Sequence, residues 1–189
     1  MPDTLFPIHL TLAELEQGME SVLASPKNEG VLEMIVRRPA VDEREVLSRG
    51  SLEVENGLVG DNWLTRGSSR TTDGRGHPEM QLNVINYRFA HLIAGSRERV
   101  PLAGDQLYVD LDLSPANLPP GTTLEIGGAV IEVTAIPHLG CKKFVGRFGI
   151  EAMKFANSDF GRVHSLRGIN AKVLEGGAVA IGNRVRVRR

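Results

Sequence analysis

The stretch "TTLEIGGAVIEVTAI", Thr122–Ile136, contains two strand-like runs joined by Gly127-Gly128. Both central residues of a two-glycine connection can take positive φ, so the pair predicts a tight antiparallel hairpin. Upstream, "DQLYVDLDL" (Asp105–Leu113) alternates Leu107, Val109, Leu111 and Leu113 against Tyr108, Asp110 and Asp112. That period of two marks a half-buried strand whose acidic face sees solvent or a partner. "MQLNVIN" (Met80–Asn86) has the same alternation, and "VLEMIVRRP" (Val31–Pro39) reads as a strand stopped by its proline. Downstream, "INAKVL", a Glu175-Gly-Gly turn, "AVAIGN" and "RVRVRR" predict a closing meander. Many short strands with glycine punctuation predict a mainly β, barrel-like fold with a few helices, α+β in a coarse classification.

The helices are few. Thr11 and Glu14 form a capping-box pattern, and Leu12, Leu15, Met19, Val22 and Leu23 follow at helical spacing. "YRFAHLIAG" predicts a second helix ended by Gly95. From Val41 to Pro78 mixed charges, glycines and the tract "RGSSRTTDGRGHPE" predict a long surface loop with little regular structure. The chain of 189 residues is expected to be one domain, with a core over about 30–189 and a helical extension over 1–29.

Composition excludes several function classes. A formal net charge of −1 leaves no global positive field for nucleic acid. The arginines of the final strand, Arg184, Arg186 and Arg188, read with Arg189 as a solvated face. No apolar run reaches membrane-spanning length, the N-terminus carries no export pattern, and a lone cysteine makes no internal disulfide. A cytoplasmic protein is the expectation.

That cysteine, Cys141, lies in "PHLGCKKFVGRFG" (Pro137–Gly149), between His138 and the cations Lys142, Lys143 and Arg147. A buried, inert thiol is the commoner fate of a lone cysteine. Here the thiol follows a strand and opens what reads as a helix; a helix N-terminus and nearby cations favour a thiolate that can attack or bind a soft metal. His138 is either a base for that thiol or a partner for a loop carbonyl. Zinc fits poorly, because His-x-x-Cys supplies only two ligands and His9, His77, His91 and His164 have no matching spacing. A Cys-His hydrolase would also need an oxyanion hole and a third, orienting group. Arg37, Arg38, Arg167 and Asn170 offer donors and acceptors suited to a phosphate or a flat heterocycle, and each is structural unless it converges on Cys141.

Several segments in order resemble the MOSC domain, the molybdenum cofactor sulfurase C-terminal module. They are "GLVGDNW", the block from Leu102 to Thr134 with its Leu-Pro-Pro-Gly turn, the cysteine after "IPHLG", and "RGINAKVLEGGAVAIGNRVRV". The sequence departs from the familiar pattern at Gly104-Asp105-Gln106-Leu107, where many relatives have Gly-Glu-Asn-Leu, and at Gly140, where proline is frequent. The resemblance implies a barrel-like fold that binds the molybdenum cofactor, with Cys141 as metal ligand. Lys142, Lys143, Arg147, Arg37, Arg38 and Arg167 would contact phosphate or pterin, Asn170 and His138 would be hydrogen-bond partners, and Asp105 would meet substrate or cap a turn. It implies a reductase of small N-oxygenated molecules served by an electron-donor protein. The alternative is a sulfur-carrier or cofactor-delivery module with a Cys141 persulfide and a cofactor-biosynthesis partner; a fold that has lost its chemistry is the third reading. Strand edges permit dimers without demanding them.

Overall fold

The computed structural model describes residues 9–189. Eleven strands and five helices follow in chain order: α1 Leu12–Leu23, β1 Glu29–Arg37, β2 Glu45–Leu47, β3 Arg49–Glu53, β4 Gly57–Leu58, α2 Trp63–Arg66, β5 Leu82–Asn86, α3 Tyr87–Ala94, β6 Leu107–Asp110, β7 Thr123–Ile126, β8 Ala129–Pro137, α4 Lys142–Asn157, α5 Asp159–Val163, β9 Ile169–Glu175, β10 Gly177–Ala180 and β11 Arg184–Arg188. Seven of the strands close into a barrel in the order β1-β6-β5-β9-β8-β7-β11, with β11 returning to β1. All its pairings are antiparallel except β5 with β6. Closure removes the free edges that an open sheet of these strands would present.

The expected hairpin forms as β7 and β8, with Ile126 opposite Ala129 across Gly127 and Gly128. Leu107, Val109, Leu111 and Leu113 lie together in the barrel core with Leu32, Leu82, Val84, Leu124, Ile131 and Val185. The opposite face of β6 is only partly acidic surface: Asp110 pairs with Arg88, while Tyr108 is wholly buried. Tyr108 belongs to a second core with Met34, Val36 and Ile85, covered by Leu15 and Met19 of α1, Phe89 of α3, and Phe144 and Phe148 of α4. Helices therefore cover the outside of the barrel at β1, β5 and β6.

The helix boundaries follow their local signals. Thr11 and Glu14 complete the capping box of α1, and Gly95 ends α3 in the left-handed region. Residues 1–8, the start of the expected extension, lie outside the described residues. Among those described, no helix is long and apolar enough to cross a membrane.

Two expectations are corrected. The segment Val41–Pro78 contains β2, β3, β4 and α2 rather than one long loop. Its strands are short and point few apolar side chains inward, Leu52 and Leu58 among them, so their alternation is too brief to read. The C-terminal strands also do not form a meander. β9 pairs with β5 and β8, β10 leaves the barrel to join β3 and β4 in a small sheet, and β11 pairs with β1 and β7. Gly177 permits the crossing, because a Cβ there would meet the backbone of Gly128. The arginines of β11 are ion-paired on the surface, Arg184 and Arg186 with Glu29 and Arg188 with Glu125.

Barrel closure depends on close approach at Gly30, where β1 lies between β11 and β6 and a Cβ would run into the carbonyl of Asp110. Gly30→Val is expected to destabilise the protein by about 1–3 kcal/mol or more through overpacking. Urea unfolding of both proteins measures this, and equal midpoints would refute it.

Candidate functional site

The ends of β1 and β8, the starts of β6 and β9, and Asn83 of β5 bring their polar residues to one place. Asp105, just before β6, is fully buried, and Arg167, just before β9, approaches it with Nη1 at 2.9 and 2.8 Å from the two carboxylate oxygens. Arg167 also donates to the carbonyl of Ala103, and its guanidinium stacks over Phe144 at 5.1 Å from the ring centroid. Arg38, which follows β1, clamps a second buried carboxylate, that of Asp61. Its Nε and Nη2 donate at 2.8 Å each, and Nη1 reaches the carbonyl of Gly104 at 2.9 Å and Asn83 at 3.2 Å. These two arginines are thus largely occupied by structural acceptors.

Gln106 and Asn170 extend this framework. The Gln106 side chain accepts from the backbone N–H of Asn83 and donates to the carbonyl of Gln81. Asn170 accepts from Asn83 and donates to the carbonyl of Ile136. The residues that depart from the familiar Gly-Glu-Asn-Leu pattern are therefore held inside the protein, and Asp105 is satisfied by Arg167 rather than by a turn.

His138 lies with Nδ1 3.5 Å from Asp105, too long for a hydrogen bond, and that nitrogen is buried without a partner. Burial first, and then the charges of Arg167 and Arg38, hold the imidazole well below its ordinary range. The ring is therefore neutral at physiological pH. Burial pushes the Asp105 carboxyl up, and Arg167 is the main force opposing that rise.

Above this framework opens a cavity of about 270 Å³ lined by Cys141, Lys143, Arg147, Arg44, Arg66 and Asn62, with Arg38, Arg167 and His138 in its walls. Cys141 is exposed and caps α4 through its backbone, with no hydrogen bond from its side chain. Lys143 and Arg147 share Asp42 at 3.0 Å each. Arg44 and Arg66 make no ion pair among the described residues. Burial and neighbouring cations, Arg147 and Arg38 beside Arg44 and Arg38 beside Arg66, hold both guanidiniums below their ordinary range. The Arg44 Nε and the Asn62 Oδ1 are buried without partners. Cations crowded in this way raise one another's energy unless an anion lies among them.

Of the residues singled out from sequence, the structure brings Arg38, His138, Cys141, Lys143, Arg147 and Arg167 to this cavity and leaves Arg37, Lys142 and Asn170 outside its lining. Arg37 points away from Arg38, as neighbours in an extended chain do, and pairs with Glu45. Lys142 is exposed on the first turn of α4, and Asn170 lies behind Asn83. Arg44, Arg66 and Asn62 were missed. They lie in the segment that reads as a loop, where nothing local separates them from surface residues.

No family model matches the chain, and no curated protein sequence matches it. Solved structures do. The chain superposes on YuaD from Bacillus subtilis with a TM-score of 0.59 at 16% identity, over 84% of this chain and 95% of that one. YiiM from Escherichia coli gives 0.53 at 20% identity, over 84% and 70%. YiiM from Geobacillus stearothermophilus gives 0.51 at 11% identity, over 87% and 75%. The likeness is one of fold, a closed β-barrel carrying a few helices.

Two outcomes test this framework. Asp105→Asn removes the charge that compensates Arg167, and a loss of about 3–5 kcal/mol is expected in urea unfolding; a loss below 1 kcal/mol would mean the pair is dispensable. For His138, the unfolded chain takes up a proton below about pH 6.5 while the folded chain excludes it, so this group's contribution falls as pH drops through that value. Stability should fall by about 1 kcal/mol more in the native protein than in His138→Gln between about pH 7.5 and pH 5.5. Parallel pH profiles would exclude the effect.

Proposed function

We propose that the cationic cavity binds the molybdenum cofactor and that the protein reduces small N-oxygenated molecules. The observation that carries this reading is the cluster of Arg44, Arg66, Lys143 and Arg147 around the exposed thiol of Cys141, with buried donors and an acceptor still unpartnered. The residues fit the group. Arg44, Arg66, Lys143 and Arg147 would hold its phosphate, Asn62 would accept from the pterin edge, and the Cys141 thiolate is a soft ligand suited to the metal. Among the described residues no three His, Cys, Asp or Glu side chains cluster to hold a metal ion. A metal at Cys141 therefore requires further ligands from its own cofactor.

When bound, the cofactor supplies two-electron redox chemistry. Reduction of an N-hydroxylated amine consumes two electrons and two protons and releases water. The electrons come from a donor protein, because no flavin or nicotinamide motif is present in the sequence. The protein's own part is positional: the cations fix the phosphate, and the two clamped arginines hold the cavity wall rigid so that the site is organised before the ligand arrives. A second reading is favoured by the exposure of Cys141: a sulfur carrier holding a persulfide at this thiol, with no turnover.

The test is elemental analysis for molybdenum and fluorescence of oxidised pterin on protein produced in a cofactor-synthesising host. The native protein is expected to retain both. Cys141→Ser should lose the metal, and Arg44→Ala with Arg66→Ala should lose pterin by more than about tenfold, since each removes a charge-assisted contact. Absence of metal and pterin from the native protein would overturn the reading, and cyanide-releasable sulfur on Cys141 would then support the carrier.

A further inference from the structure

A second cavity, of about 330 Å³, meets the cationic one along His138, Leu139 and Arg167. Its chemistry is different. Leu118, Val133, Ile136 and Ile169 line it, together with Pro115, Pro120 and Pro137. Its volume falls in the range of small-molecule sites, and concave apolar walls with a few convergent polar atoms are what such sites have.

Thr134, Arg162, Ser165 and Asn170 add polar groups to the lining, and the two buried nitrogens that lack partners lie where the two cavities join. Arg167 Nε and His138 Nδ1 are both buried and without partners, and the Arg167 side chain is only 8% exposed. Its two terminal nitrogens already donate to Asp105 and Ala103, so Nε is the one nitrogen of the group without a partner, and the charge itself is answered by Asp105. A buried donor left unsatisfied costs free energy that an acceptor would recover. The backbone around this wall is also held in uncommon conformations, Ser165 at φ 47 and Gly168 at φ 100. A Cβ on Gly168 would meet the carbonyl of Val84, and this close approach seats Arg167 at the junction.

We propose that this cavity binds a small, flat organic molecule, an aromatic ring or heterocycle bearing a hydrogen-bond acceptor. The ring lies among Leu118, Val133, Ile136 and Ile169, and the acceptor lies at the Arg167–His138 junction. This deepens the reading above and rests on it for one step: the ligand is the organic body of the substrate, with its polar end at the border of the cavity that contains Cys141. The pocket then selects substrates by the shape of the ring, while the cationic cavity selects nothing about the substrate.

Benzamide, which has both ring and carbonyl, is the probe. Titrated into the full chain labelled at isoleucine, leucine and valine methyls, it is expected to give saturable shifts at Leu118, Val133, Ile136 and Ile169. Ala135, at the rim and exposed, is the position for a block. Ala135→Trp should weaken binding at least about tenfold by steric exclusion, with the barrel methyls of Leu32 and Val109 reporting an unchanged fold. Ala135→Phe replaces it if the larger ring disturbs β8. Cys141→Ser should bind benzamide as the native protein does. Absence of saturable shifts at these methyls, or equal affinity in the blocked variant, would overturn the pocket. Because the titration needs no molybdenum, its failure is distinguishable from failure of the cofactor reading.

Discussion

The buried pair of Asp105 and Arg167 is the constraint on which this end of the barrel depends. Asp105 is fully enclosed, and a carboxylate so placed is tolerated only where a cation and hydrogen bonds replace its water. Arg167 supplies both and, through Ala103 and the ring of Phe144, ties the segment before β6 and the helix α4 to the start of β9. Three parts of the chain remote in sequence are thereby held in one arrangement. The neighbouring pair of Arg38 and Asp61 does the same for the end of β1 and the segment after β4.

This division of labour explains why arginines with similar surroundings have different roles. Arg38 and Arg167 have their charges answered inside the protein, so they build the wall. Arg44 and Arg66 make no ion pair among the described residues; Asp42 eases the first and Asp61 the second, but burial and neighbouring cations outweigh them. A protein that crowds cations into a partly enclosed space stores a like-charge penalty there. A bound anion would relieve it, which is why binding and stability should be linked at this site. Asp42, which holds Lys143 and Arg147, relieves part of it in the structure described.

The two cavities divide recognition along the same lines. The cationic one can hold a charged, polar group, and the apolar one can hold a ring. Along their shared boundary at His138, Leu139 and Arg167 lie two buried nitrogens without partners, Arg167 Nε and His138 Nδ1. His138 is suited to that boundary because its neutral ring can lie beside two arginines without adding a third charge.

The sequence by itself determined the local elements whose cause is local. The Gly127-Gly128 hairpin, the alternation of Leu107 to Leu113, the Thr11 capping box and the Gly95 stop each depend on neighbours a few residues away, and all are present in the structure. It also marked Cys141 and the cations Lys143 and Arg147, because they share the first turns of α4. Only the tertiary structure decided which strands pair across the chain, so that β10 joins β3 rather than β9. It alone decided that Arg38 faces the cavity while Arg37 faces Glu45, and that Arg44 and Arg66 come to the same place as Cys141. The physical reason is that a charge takes its role from its partners in space, and those partners are set by barrel closure rather than by sequence spacing.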